Sequence, residues 1–390
     1  MIVRLLRPED RPQTAIISHI AFHSRLDSME AVVKDWGGSP DNEDWGAFTD
    51  DGEIMARIIN NHLESHLDGH VVMNGGIGAV STLPEYRETG AIREIFNHLL
   101  PAARERGEVI STLYPFNHAF YRKFGYETVS YKNSYELKPA QLTGSGQTGW
   151  ARQWKPGDET GEFMRIYEAF SGGLNLSIIR DEKKMRDEHI HGEFWKDRHF
   201  VYLLRDDSGA KAYVVFQDVY RPESAMLDVR EAAWTDQDGF RMILGFLARF
   251  TADYGLVKMV LPTHMDLKLY VRDPYSIRPE PEYDHMIRVV NAEKLLSLIR
   301  KPEGASFVIN VSGDEQIPEN NGTWLVQDGT VTRTDRTPDL QVSHRALGQM
   351  AVGGISLDEA EYRTDVIISG NRDVLSRVFV RKPIYVGDHF

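Results

Sequence analysis

Four short stretches carry residue types at spacings that chemistry can use. In "PEYRETGAIREIF", the strand-like "IGAVSTL" gives way to a turn, Arg87-Glu88-Thr89-Gly90, and then to the start of a helix. Backbone N–H groups at a helix N-terminus have no partners within the helix, and at a glycine no side chain shields them, so an anion such as a pyrophosphate can dock there. "HLESHLDGH" offers His62, His66 and His70 and invites a zinc reading, but the HExxH order is absent because Glu64 stands third rather than second. Read as a strand, the stretch puts His62, Glu64 and His66 on one polar face, and no metal is expected. "MNGGIG" holds Gly75, Gly76 and Gly78 without completing a dinucleotide fingerprint, which points to a bulge or to another group approaching the backbone closely. Finally "RKPIYVGDHF" runs apolar residues Ile384, Tyr385 and Val386 up to Phe390, where most domains fray into a polar tail.

The elements around these stretches recur. Between about residues 45 and 138, "WGAFTD" and "EIMARIINNHLESHL" flank an Asp-Gly turn as a hairpin, followed by the strand "HVVMNGGIGAVSTL". The helix "GAIREIFNHLLPAARER" comes next, with Ile92, Ile95, Phe96, Leu99 and Leu100 on one face, then the strand "VISTLY", a short helix through "NHAFYRKF" and the strand "YETVSYKNSYEL". The same order returns between about 199 and 264: a hairpin in "HFVYLLRDDSGAKAYVVFQDV", the strand "AMLDVREAAW", the helix "GFRMILGFLARFTADYG" and the strand "VKMVLPTH". At the helix entrance of this second copy, "EAAWTDQDGFRMIL" puts Asp236 and Asp238 where they cap the free N–H groups and repel phosphate. From about 286 a helix "NAEKLLSLI" precedes strand-like "SFVINVSG", "GTWLVQDGTVTRT", "DLQVSHRALGQMAVGG" and "VLSRVFVRKPIYV", a smaller α+β domain. Two mixed α/β sheets followed by an α+β domain is the expected fold.

Composition narrows the function classes. The chain has 390 residues, enough for two or three cores, with 41% hydrophobic and 26% charged residues. It contains no cysteine, which removes disulfides, thiolate metal sites and a cysteine nucleophile. A formal charge of −13 argues against nucleic acid and favours cationic small molecules. No apolar run is long enough to span a membrane and "MIVRLLRPED" is not a signal peptide, so a cytoplasmic address is expected.

"VSTLPEYRETGAI", followed about 30 residues later by "FNHAFYRKFGYE", resembles motif A and the closing motif of the GNAT N-acetyltransferases. Taken with the second, cofactor-free copy, the third domain and the apolar C-terminus, the whole chain resembles the Eis (enhanced intracellular survival) acetyltransferases. The resemblance implies two tandem GNAT-like domains, 1–150 catalytic and 151–285 without a cofactor site, and a sterol-carrier-protein-like domain over 286–390. It further implies transfer of the acetyl group of acetyl-CoA to a primary amine of a cationic small molecule, aminoglycoside- or polyamine-like, or of a lysine side chain. A homo-oligomer, most often a hexamer, is expected with it.

Carried over position by position, the acetyl-CoA contacts fall on Val80, Ser81 and Thr82, on the turn Arg87, Glu88, Thr89, Gly90, Ala91, Ile92 and Arg93, and on Phe116 and Asn117. Glu88 and Thr89 stand where basic residues are common in the family, and Ile92 where a small one is usual. Asp27 and Trp36 fall in the region that lines the amine pocket. By resemblance the C-terminal carboxylate, here on Phe390, is the general base and Tyr121 is the general acid that protonates the departing thiolate, with no covalent enzyme intermediate. The competing class is a carrier protein that holds an apolar ligand in the third domain. A carrier gives no reason for the Arg-x-x-Gly turn and "FYRKFGYE" at this spacing.

Overall fold

The computed structural model describes residues 1–23, 41–146, 149–191, 196, 198–221, 225–275, 277–327 and 329–390. Contacts gather into two units, Met1–Val129 with His285–Lys382 and Asp388–Phe390, and Ser130–Asp284 with Pro383–Gly387.

The first unit opens with β1 (Ile2–Leu5), α1 (Arg11–Phe22), β2 (Asn42–Phe48), β3 (Ile54–Leu67) and β4 (His70–Thr82). These strands form an antiparallel run in sequence order. Gly52 and Gly69, in the two hairpin turns, both lie at φ +88, a conformation that is free of strain only without a Cβ. A crossover through α2 (Ala91–Glu105) brings β5 (Ile110–Leu113) parallel to β4. The apolar face of α2 is the buried one: Ile92, Ile95, Phe96, Leu99, Leu100 and Ala103 join a core with Ile58, Ile77 and Leu113 of the sheet. The short helix α3 (His118–Arg122) follows, and β6 (Glu127–Leu137) carries the chain into the second unit.

The second unit repeats the plan. After β7 (Trp150–Gln153) and α4 (Gly161–Ser171) come the hairpin β8 (His199–Asp206) and β9 (Gly209–Val219), the strand β10 (Met226–Trp234), the crossover helix α5 (Gln237–Ala248) and β11 (Leu256–Pro262). Its strands run in the order β6-β11-β10-β9-β8-β7, with only β10 and β11 parallel. Phe240, Ile243, Leu244 and Leu247 of α5 pack against Val214, Phe216 and Val257, as α2 packs on its own sheet.

β12 (Pro279–Val289), which the sequence reading misses, returns to the first unit, where Met286–Val289 pair antiparallel with β5. Helix α6 (Ala292–Leu298) leads to a five-stranded sheet of β13 (Ser306–Ser312), β14 (Gly322–Gln327), β15 (Thr330–Arg333), β16 (Leu340–Ser343) and β17 (Val366–Ile368), in the order β15-β14-β13-β16-β17. Two strand expectations fail here. Most of "DLQVSHRALGQMAVGG" is helix α7 (His344–Val352): the Ser343 side chain accepts from Ala346 N at 3.1 Å as its N-cap, and Gly353 at φ +86 ends it. The first five residues of "VLSRVFVRKPIYV" lie in α8 (Arg372–Val378), where Leu375 and Val378, three apart, are the buried positions. The rest of the tail forms no strand; one isolated bridge joins Ile384 to Asn175 within the second unit. Among the described residues no helix is long and apolar enough to cross a membrane.

One buried node ties β12, the turn after α3, the loop after β13 and the start of α7 together. Arg288, fully buried, pairs with Asp314 at 2.6 and 3.1 Å and donates to the Phe124 carbonyl at 2.9 Å. A side chain on Gly125, at φ +82, would run into the His344 imidazole and come within 3.2 Å of Arg288 Nε. Burial first, then the Arg288 charge, push the His344 pKa from 6.5 down to about 4. Between those values the unfolded chain binds a proton that the folded chain does not, so stability falls as the pH falls through that window. The expected contribution is about 3 kcal/mol, and His344→Gln is expected to lose correspondingly less stability. Equal losses for wild type and variant in urea melts from pH 7 to pH 4 would remove His344 from the acid response.

Candidate active site

The candidate site lies where β4 and β5 part. Their parallel register runs from Asn74↔Ile110 to Ile77↔Leu113 and ends there, while β4 continues to Thr82. Opposite β3, the register steps from Ile59↔Gly78 to Arg57↔Ser81, three residues of β4 against two of β3, and Ala79 takes the left-handed φ of +50. This bulge turns β4 aside. From Gly78 to Thr82 the β4 edge that faced β5 therefore has no strand partner among the described residues, leaving backbone polar groups of Val80 to Thr82 available. Ser81 is buried and donates to the Ala79 carbonyl at 3.1 Å.

β4 leads into the turn before α2. Arg87, Glu88, Thr89 and Gly90 are all exposed, Glu88 at φ +65 and Gly90 at φ +88. Thr89 donates to the Tyr86 carbonyl at 2.7 Å, and Gly90, the N-cap of α2, supplies no side chain to its N–H groups. A Cβ at Gly90 would meet nothing within 4 Å. Ala91 and Ile92 point into the core, so only their backbone can serve a ligand, and the Arg93 guanidinium lies 5.8 Å from the Phe124 ring centroid. The matching helix α5 is closed: Asp236 accepts from Asp238 N at 3.1 Å and Gly239 N at 3.0 Å. Asp236 alone caps it, and Asp238 contributes its N–H rather than its carboxylate.

Beyond β5, Phe116 is 70% exposed and meets the ring of Tyr121 edge-on at 5.3 Å. The Asn117 side chain accepts from Phe120 N at 3.0 Å as the cap of α3, so its amide oxygen is already engaged. Tyr121 is 2% exposed, packed among Phe96, Phe124 and Tyr126, and burial pushes its phenol well above the usual tyrosine value. It stays protonated at neutral pH, a donor and not a base. Its hydroxyl bonds to none of the described residues.

The last residue closes the site from β4's other face. A Cβ at Gly76 would lie 2.9 and 3.0 Å from ring carbons of Phe390, and one at Gly78 would lie 3.1 Å from its carboxyl carbon and 3.2 Å from an oxygen. Of the two features read from the glycines of "MNGGIG", the close approach is theirs, and the bulge follows them at Ala79. Asn61 of β3 braces the spot by donating to the Gly76 carbonyl at 2.8 Å.

Residues 3–129 match the acetyltransferase (GNAT) domain family and residues 292–386 the sterol carrier protein domain. Residues 3–129 form a GNAT acetyltransferase domain. The chain is an acetyltransferase, and GNAT domains use acetyl-CoA and act on amines. No curated protein matches the chain by sequence. Three similar solved structures support the fold. One is a conserved protein of unknown function from Enterococcus faecalis V583, a probable N-acyltransferase (TM-score 0.86, 17% identity, 100% of this chain and 99% of that one). Another is a GCN5-related N-acetyltransferase from Anabaena variabilis ATCC 29413 (0.85, 18%, all of both chains). The third is Eis1 from Mycobacterium abscessus (0.84, 19%, all of both chains).

Within and around the acetyltransferase domain, Val80 to Thr82 and the Arg87–Arg93 turn lie on one continuous strand-turn-helix, and Phe390 lies against that same strand. Asp27 and Trp36 lie outside the described residues. The described residues hold no group of three His, Asp or Glu suited to a metal ion. His62 instead sits opposite Gly75, on the face where Asn60 donates to the buried Glu108 at 2.9 Å. The sequence reading missed Glu108, Asn61 and Tyr114, none of which stands in a local pattern.

Gly78→Val is expected to displace the end of the chain while β4 keeps its ladder with β3, lowering stability in urea melts by about 1–3 kcal/mol. Unchanged stability would show that Phe390 does not rest on Gly78.

Proposed function

We propose that the chain is an Eis-like N-acetyltransferase that moves the acetyl group of acetyl-CoA to a primary amine of a cationic small molecule, aminoglycoside- or polyamine-like, or of a lysine side chain. The observation that carries this reading is the carboxyl group of Phe390 at Gly78, on the strand whose far end opens into the uncapped helix α2. The residues fit the cosubstrate. The free N–H groups at Gly90 and beyond receive the pyrophosphate, with Arg87 and Arg93 as nearby cations, and the unpaired β4 edge at Val80, Ser81 and Thr82 receives the pantetheine amides. Phe116 and Asn117 line the later part of the cosubstrate path.

The Phe390 carboxylate accepts the proton of the amine as the new C–N bond forms at the thioester carbonyl. Tyr121 gives its proton to the sulfur as the C–S bond breaks, and recovers it from solvent. A buried phenol whose hydroxyl bonds to none of the described residues suits this role, because that hydroxyl is left for the sulfur. The formal charge of −13 suits a cationic acceptor, and by resemblance Asp27 and Trp36 belong to the region that receives it. Residues 1–150 act as the catalytic segment, 151–285 as a copy whose anion site Asp236 fills, and 286–390 as the segment that supplies the carboxylate. A cytoplasmic homo-oligomer, a hexamer, completes the proposal.

The match of residues 292–386 to the sterol carrier protein domain favours a second reading, a carrier of apolar ligands. Mixing the protein with acetyl-CoA and a panel of amines separates the two: an acetyltransferase of this kind releases free CoA, a carrier does not. Tyr121→Phe then tests the mechanism. The expected result is a fall in single-turnover rate of roughly 10²-fold or more with both Michaelis constants little changed, because the hydroxyl acts as the thiolate leaves. Equal single-turnover rates would take Tyr121 out of the chemical step.

A further inference from the structure

We infer that Tyr114 is a positioning residue, whose hydroxyl and ring together hold residues 388–390 so that the Phe390 carboxylate stays against β4. Tyr114 is the first residue beyond β5, directly after Leu113, whose pairing with Ile77 is the last between β5 and β4. Its hydroxyl donates to the Asp388 carbonyl at 2.7 Å. Its ring stacks on the His389 imidazole, with centroids 4.4 Å apart and planes 20° from parallel, and meets the Phe390 ring edge-on at 5.8 Å. One side chain therefore touches each of the last three residues.

These residues belong to no strand, and a chain end without a ladder frays unless something ties it down, because ordering each residue costs conformational entropy. Gly76 and Gly78 provide space but no grip. Tyr114 provides the grip: a directional bond to the carbonyl of the fully buried Asp388, and ring contacts with both residues that follow, stacked on His389 and edge-on to Phe390. The tyrosine is itself held, since its ring lies 3.8 Å from that of His285, a fully buried residue of β12. The tail is thus clasped between β4 on one side and a residue braced by β12 on the other. A phenylalanine at 114 would keep the ring contacts and leave the Asp388 carbonyl without this donor, and an alanine would lose both.

The role in catalysis rests on the proposal that the Phe390 carboxylate is the base; the anchoring of the tail does not. The test uses the full chain as Tyr114→Phe and Tyr114→Ala, with two readouts. The first is the rate at which carboxypeptidase A releases Phe390 from the folded protein, followed by mass spectrometry. The second is single-turnover acetyl transfer. We expect release to accelerate about tenfold in Tyr114→Phe, the weight of one hydrogen bond, and further in Tyr114→Ala. Transfer is expected to slow in the same order with the Michaelis constant for acetyl-CoA unchanged. Release no faster in either folded variant would overturn the anchoring. Faster release with unchanged transfer would overturn the role in the reaction. If wild-type protein stripped of Phe390 keeps full turnover, the base assignment fails and the catalytic part of this inference fails with it, whatever the release rates.

Discussion

Everything at the site depends on a strip of β4 that has no side chains on one face. At Gly76 and Gly78 the backbone is bare, and the Leu63 side chain with the ring and carboxyl group of Phe390 occupies the volume that any other residue would fill. The tolerance is narrow: at about 3 Å a single added carbon would already press on the terminal residue. The bulge at Ala79 begins directly afterwards, so the sheet ceases to pair with β5 just where the chain end arrives. Close approach on one face and an open edge beside it are thus properties of one short segment, and the sequence "GGIGA" encodes both.

The two crossover helices show how little separates an open anion site from a filled one. Helices α2 and α5 occupy equivalent places in their own sheets, each between two parallel strands and each with an apolar face on the sheet. The difference is the residue before the first turn. Gly90 leaves the N–H groups of α2 to solvent or ligand, whereas Asp236 bonds two of those of α5 and adds a negative charge that repels phosphate. One architecture used twice therefore carries one candidate cosubstrate site.

Much of this was legible in the sequence because it is local. The Asp-Gly turn, the apolar face of α2, the glycines of β4 and the contrast between Gly90 and Asp236 each announce themselves within a dozen residues. The third part is less legible. "DLQVSHRALGQMAVGG" looked strand-like because Leu340 and Val342 do form β16, yet Ser343 followed by Ala346, Leu347 and Met350 was a capped helix start in plain view. The apolar tail suggested a final strand, but Ile384 and Val386 are buried without joining a sheet ladder. Tyr114 could not have been found this way, since its partner lies 274 residues along the chain and only the fold brings them together.

The central claim is that a carboxylate at the end of this chain does the work of a base, and it is tested most directly by removing the charge and nothing else. Ligating a synthetic peptide that ends in Phe390 carboxamide keeps the ring and the backbone and replaces the carboxylate with a group of no useful basicity. Acetyl-CoA affinity by calorimetry and single-turnover acetyl transfer are then compared with those of the protein ligated to the free acid. The account predicts unchanged affinity and a transfer rate lower by roughly 10²-fold or more. Transfer at the full rate by the carboxamide would contradict it.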